Sequence, residues 1–207
     1  MKYIDLESIV VPERVALLDP VRANRNIKAA DKIAANIAEK EAARLDEGAL
    51  DPYTNRIVAI WGQDSQGVEW GWHDGLGGNE TLALASAWDW IGNDSICGFR
   101  VDFDLRVMVI RSWILGVTPH TIDFNRYRSR SYVDLMQKLT CDWSEDQHRW
   151  KSLKAYCRLL GVDVPEDDCA GKDIGDLVAA GEWDQVEAHV RADVARTAAL
   201  AERLGVR

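Results

Sequence analysis

Lys2-Tyr3-Ile4-Asp5-Leu6-Glu7-Ser8 decides how this chain is read. Tyr3, Asp5 and Glu7 alternate with Ile4 and Leu6, a period of two that predicts a strand. Successive side chains on a strand face opposite ways, so Asp5 and Glu7 share one face, roughly 6.5–7 Å apart along it. Two like charges at the centre of a sheet repel, and burying them is costly unless something pairs with them. A divalent cation is the economical partner, because hard cations take carboxylate oxygens. The plainer alternative is an edge strand with two acids on its wet face. A distant part of the chain has to decide between them.

The 207 residues around that strand are 47% hydrophobic and 29% charged. Such a chain suits one globular domain over residues 1–207, with residues 10–52 as a helical insertion. No run approaches the ~18 apolar residues of a membrane span, and no signal-peptide pattern opens the chain. Cys97, Cys141, Cys157 and Cys169 form no C-x-x-C pair. The expectation is a reduced cytoplasmic protein, away from membranes and without structural zinc. Formal net charge is −9, which argues against non-specific binding of polyanions by the chain as a whole. Residues 98–158 nonetheless hold eleven Lys/Arg against seven Asp/Glu. A basic stretch inside an acidic chain is compatible with a nucleic-acid groove, and also with an ordinary surface.

Beyond the first strand, residues 10–23 contain Pro12 and Pro20 and read as loop. Residues 24–47 have near-helical apolar spacing, with Gly48 as a stop. This insertion is read as a packed outer layer or as a lid over substrate. Arg56–Trp61 (RIVAIW) and Gly67–His73 (GVEWGWH) form a predicted hairpin. Helix follows over 81–91 after Asn79-Glu80, then a short strand at Ser95–Phe99 and a helix at Asp102–Leu115 ending before Gly116. Ser131–Met136 could be a fifth strand. Ser144-Glu145-Asp146-Gln147 has capping-box form, predicting a helix to Leu160. Residues 162–181 read as loop and short helix, and Glu182–Leu204 as the last long helix. The fold class is therefore α/β, with a mixed five-stranded sheet flanked by helices.

The last helix bears on the first strand. With Val186 at 0° and about 100° per residue, Val190, Val194, Leu200, Ala201 and Leu204 fall within roughly −40° to +80°. His189 lies near −60° and Asp193 near −20°, one turn apart on the face that should be buried. A carboxylate inside an apolar arc needs a partner: His189, an arginine, or a metal shared with Asp5 and Glu7. Gly98-Phe99-Arg100-Val101-Asp102-Phe103-Asp104 offers another acid where a strand ends and a helix begins, the place where ligands gather in α/β sheets. Asp104 could equally be a first-turn helix acid.

Asp5-x-Glu7, then Gly98-x-x-x-x-Phe103-Asp104, then His189-x-x-x-Asp193, in this order, resemble the three exonuclease motifs of the DnaQ-like, or DEDD, 3′–5′ exonucleases, which have a ribonuclease H-like fold. Ser131-Tyr132-Val133-Asp134-Leu135 is similar to their fifth strand. The Lys32–Pro52 stretch followed by RIVAIW looks like bacteriophage and proofreading-type members. Two positions depart from the pattern. Phe99-Arg100 stand where many members have His-Asn, and His189 stands in the slot that tyrosine fills in one subgroup.

The resemblance implies a metal-dependent exonuclease acting at single-stranded DNA 3′ ends and releasing nucleoside 5′-monophosphates. Asp5, Glu7, Asp104 and Asp193 would hold two Mg²⁺ or Mn²⁺ ions, and His189 would accept the proton of the attacking water. Arg100, Arg106, Arg126, Arg128 and Arg130 could contact phosphates, and Leu6 and Phe103 could wedge the terminal base pair. The same fold could instead serve a 3′–5′ exoribonuclease or a weakly catalytic binding module. Of nine tryptophans, most, such as Trp61 and Trp113, are expected in the core. His73, His120 and His148 have no partner pattern.

Overall fold

A computed structural model describes residues 1–125, 131–141, 150–164 and 167–206. Arg126, Arg128, Arg130 and the Ser144–Gln147 box lie outside them. The chain forms two compact units, one of Met1–Glu7 with Ile57–Arg207 and one of Ser8–Arg56. No helix among the described residues is long and apolar enough to cross a membrane.

The larger unit is built on the expected mixed sheet. Its strands are β1 (Lys2–Val10), β2 (Asn55–Asp64), β3 (Glu69–His73), β4 (Ile96–Gly98) and β5 (Tyr132–Asp134), in the order β3-β2-β1-β4-β5. β2 and β3 are antiparallel, with Ala59 opposite His73. β4 runs parallel to both β1 and β5, with Tyr3 opposite Cys97 and Gly98 opposite Asp134. The strand with the two acids is thus central rather than an edge.

Period-two alternation sorts the core onto two faces. Ile4, Leu6, Ile60 and Ile96 pack against helices α3 (Glu80–Ile91) and α4 (Val101–Leu115). Tyr3, Ala59, Trp61 and Cys97 pack on the other side with Leu135, Cys157, Val186 and Val190. Fully buried Leu84 and Leu105 each contribute about 2 kcal/mol of transfer free energy. Asn79 caps α3 by accepting from the Leu82 amide at 3.0 Å, as its position before Glu80 predicts. Between the two helices the Arg111 guanidinium, fully buried, grips Glu80 with two 2.7 Å hydrogen bonds. Glu80 also accepts from the Ile57 amide at 3.0 Å, tying both helices to β2.

Several expectations change. Residues 131–136 do not continue as strand, because the Asp134 carboxylate accepts from the Met136 and Gln137 amides and starts α5 (Leu135–Leu139). Within the described part of the helix predicted from 144 to 160, residues 150–160, the structure shows α6 (Leu153–Leu159), capped by Ser152. Trp113 is 65% exposed and not core, while Trp61 is buried. α7 (Ile174–Ala180) precedes the long α8 (Trp183–Arg203), which matches its predicted span closely. His73 is buried, stacked on Trp183 and 3.2 Å from Glu187.

In the smaller unit, the stretch read as loop holds a short helix α1 (Pro12–Val15), with Pro12 at its first position where a missing N–H costs nothing. The long helix there is α2 (Ala30–Glu47). Thr54, Asn55 and Ser8 hydrogen-bond the carbonyls of Gly48 and Ala49 and close the unit on itself. Gly48 has right-handed helical backbone; its lack of Cβ matters because a Cβ would come 2.5 Å from Val10.

Candidate active site

Five predicted site residues come from three elements of the larger unit. β1 presents Asp5 and Glu7, the first turn of α4 presents Asp104, and α8 presents His189 and Asp193. Gly98 makes the approach of α4 possible, since a Cβ there would lie 2.6 Å from Val101 and 3.1 Å from the Ile4 carbonyl. The turn that follows is held by Arg100 with φ 61° and ψ 30°, left-handed backbone that L-residues other than glycine, Asn and Asp seldom adopt. Its amide donates to Asp134 at 3.2 Å, which helps fix the turn.

Burial pushes the Asp5 carboxyl well above the usual carboxylate range, and the charges of Asp104, Asp193 and Glu7 push it further. Asp104 is raised in the same way, first by burial and then by Glu7, Asp134 and Asp102, against the pull of Arg100. Asp104 is only 6% exposed, and its Oδ2 is buried without a hydrogen-bond partner among the described residues. In this set of neighbouring acids, no cation among the described residues offsets these effects at Asp5, and only Arg100 does so at Asp104.

Two acids of the set are partly compensated by the protein itself. His189 places Nε2 3.3 Å from Glu7 and Nδ1 2.5 Å from Asp167. Burial alone would favour the neutral ring. The hydrogen bonds to Glu7 and Asp167, with the charges of Glu7 and Asp193, win and raise its pKa to about 9. At neutral pH the ring is therefore a double donor, which differs from the base poised near pH 7 expected from the sequence. Arg196, fully buried, reaches Asp193 at 2.5 Å and Asp167 at 2.7 Å.

Sequence reading missed Asp167 and Arg196. Asp167 lies on the loop before α7 and joins Lys154, His189 and Arg196. Those three contacts overcome its burial and hold its pKa down to about 2. Arg196 carried a signal: it sits at about −80° on the helical wheel, beside His189 and three residues after Asp193. For Asp167 there was none, because an acid in a loop has no periodicity to violate.

Among the described residues, no three Asp, Glu, His or Cys side chains are drawn up as ready-made metal ligands. The donor chemistry still suits a hard cation: several carboxylates, and one buried carboxylate oxygen left unpartnered. Asp5 and Asp104 could be the first ligands of such a cation. Glu7 and Asp193 could join if their contacts with His189 and Arg196 rearrange.

The predicted substrate residues divide. Leu6, 7% exposed, is in the core on the face opposite Asp5 and does not stand as a wedge. Phe103 is partly buried against the same core. Arg100 and Arg106 are exposed and line a separate cavity beside the α4 turn, together with Asp102 and Asp134.

Asp134 is buried and hydrogen-bonded to Asp102; burial first, then Asp102, raises its pKa to about 7. A carboxyl raised in the fold contributes stability that is present below its unfolded value, near 4, and lost as pH rises through about 7. Asp134→Asn keeps the cap and cannot ionise. Its urea stability should therefore vary less than the parent's between pH 4 and 8, with a relative gain of up to about 4 kcal/mol at pH 8. Parallel pH profiles for the two proteins would count against a raised Asp134 carboxyl.

No protein-family model matches the sequence. A protein of Methanocaldococcus jannaschii, uncharacterized protein MJ0365, is 36% identical over 149 residues, or 69% of this chain and 75% of that protein. Among solved structures, the family B DNA polymerase of the hyperthermophilic archaeon Pyrobaculum calidifontis aligns with a TM-score of 0.65 at 17% identity over 98% of this chain. The chain spans 24% of that polymerase's length, and the likeness is one of fold. The five-stranded mixed sheet with flanking helices is compatible with a ribonuclease H-like fold.

Proposed function

Since the chain belongs to the family of the Methanocaldococcus jannaschii protein MJ0365, whose name states no activity, we propose a function from its own site: a metal-dependent 3′–5′ exonuclease of the DnaQ-like, or DEDD, type. It hydrolyses phosphodiester bonds at the 3′ end of single-stranded DNA and releases nucleoside 5′-monophosphates. The observation that carries this reading is the meeting of Asp5, Glu7 and Asp104 with His189 and Asp193 of α8, with one buried Asp104 oxygen unpartnered. The fold shared with a segment of a DNA polymerase supports nucleic acid as the partner. Four free cysteines go with a cytoplasmic location.

Asp5, Glu7, Asp104 and Asp193 would hold two Mg²⁺ or Mn²⁺ ions. Bound there, such ions supply a nucleophile from water near neutral pH and stabilise the departing oxygen. The chain's own residues do the rest. His189 holds a proton at Nε2 facing Glu7, and it exchanges protons with the attacking water once the Glu7 charge that retains its proton is offset. Asp167 fixes the ring from Nδ1. Arg196, already shared with Asp167, can leave Asp193 without losing every partner.

The test is digestion of a 5′-labelled single-stranded DNA oligonucleotide with Mn²⁺ or Mg²⁺. A ladder shortening from the 3′ end, with 5′-mononucleotides as products and no activity in EDTA, is the expected result. Cleavage that persists in EDTA, or internal cuts only, would overturn the reading. A matched RNA oligonucleotide separates the exoribonuclease alternative. One observation favours a non-catalytic binding module: Glu7 and Asp193 are already paired by His189 and Arg196. Strand binding without any turnover would establish that reading instead.

A further inference from the structure

We propose that the cavity beside the α4 turn is a nucleotide subsite, taking one base of a single strand between its aromatic rings and the adjacent phosphate on Arg106. This rests on the exonuclease reading for its substrate class, and it adds a place for a nucleotide next to the one being cut.

The cavity holds about 260 Å³. Pockets for drug-sized ligands begin at roughly 300 Å³, so this one suits a single flat ring system. Its walls combine the two chemistries that single-strand binders use, aromatic faces and guanidinium groups. The Arg106 guanidinium lies 4.5 Å from the Phe124 ring centre, and the Arg100 guanidinium 5.8 Å from that of Trp150. These cation–π contacts keep two exposed, flexible side chains at the mouth, where a phosphate would meet them. The Trp150 indole N–H is buried and has no partner among the described residues, a donor left for a ligand acceptor.

Position ties the cavity to the acids. Arg100, Asp102 and Asp134 line it, and all three lie close enough to Asp104 to act on its charge. Arg100 is also the residue held at φ 61°, its amide bound to Asp134 in the cavity wall. An unfavourable backbone angle kept at the edge of a site is the usual mark of a side chain aimed for use. Here it fixes the start of a guanidinium that reaches Trp150.

The experiment is fluorescence anisotropy of a fluorescein-labelled ten-thymidine DNA strand, titrated in EDTA so that no cleavage occurs. Arg106→Ala and Trp150→Ala should each weaken binding tenfold or more, and Trp150→Phe, which keeps a stacking face, should stay within about threefold. Arg106 is exposed, so its variant should fold even if Trp150→Ala does not. No binding by the parent protein, or unchanged affinity in Arg106→Ala, overturns the subsite. The same proteins are then digested with labelled DNA and Mn²⁺. Weakened binding by the variants with no cleavage by the parent keeps the subsite and ends the exonuclease reading. Cleavage by all of them with an unchanged KM does the reverse.

Discussion

Asp5→Asn should abolish cleavage and, at the same time, make the metal-free protein more stable. The activity loss is expected to be roughly 10³-fold or more, because the charge that would hold the ions is gone while the shape is kept. The gain in stability follows from the resting site. Asp5 is raised first by burial and then by three neighbouring acids, so its ionised form is disfavoured in the fold. Such a group contributes stability below its unfolded pKa, near 4, and loses it as pH climbs through the raised value. Removing the charge should add about 1–3 kcal/mol near pH 8, a Tm rise of roughly 2–12 °C for a chain of this size, and nothing near pH 4. The two halves are measured separately, by digestion and by thermal melts without divalent ions. Full cleavage by Asp5→Asn would remove it from the metal site. An unchanged Tm at pH 8 would show that the acids are compensated in some other way.

Asp167→Ala should be the most destabilising change near the site, by about 3–5 kcal/mol at pH 7. It strips one partner each from Lys154, His189 and the fully buried Arg196. Arg196 would keep Asp193 but lose the carboxylate that shares its charge. Because the Asp167 pKa is held down to about 2, its contribution is present above the unfolded value, near 4, and fades as pH falls through about 2. The penalty measured by urea unfolding should therefore shrink at pH 3 relative to pH 7. A penalty under 1 kcal/mol at pH 7 would mean that solvent replaces these contacts without loss.

What the sequence showed and hid follows from the range of the interactions. The period of two at residues 2–8 reports a strand with one apolar face, a local property, so the strand was legible while its central place in the sheet was not. The apolar arc of α8 was legible for the same reason, and it placed His189 and Asp193 on the inner face. The partners were not legible. His189 meets Asp167 across 22 positions and Arg196 meets it across 29. No local spacing encodes such a pair, so the histidine looked free to act as a base when it is clamped as a donor. Asp134 is the opposite case. Its place in a β-rich run suggested a longer strand, yet its capping bonds to the Met136 and Gln137 amides ended β5. Trp113 shows that size and apolarity alone do not bury a residue on an outer helical face.

The Glu80 carboxylate has a consequence for motion. It receives the Ile57 amide and the Arg111 guanidinium together, deep under β2, α3 and α4. None of these three elements can separate without leaving a bare charge in an apolar interior. They should open as one cooperative unit, with the Ile57 amide among the last to exchange with solvent. On the other face of the sheet, α8 is held through ion pairs that Asp167 shares among three partners. The protein thus pairs a floor that opens only with global unfolding with a roof whose charges can be traded one contact at a time.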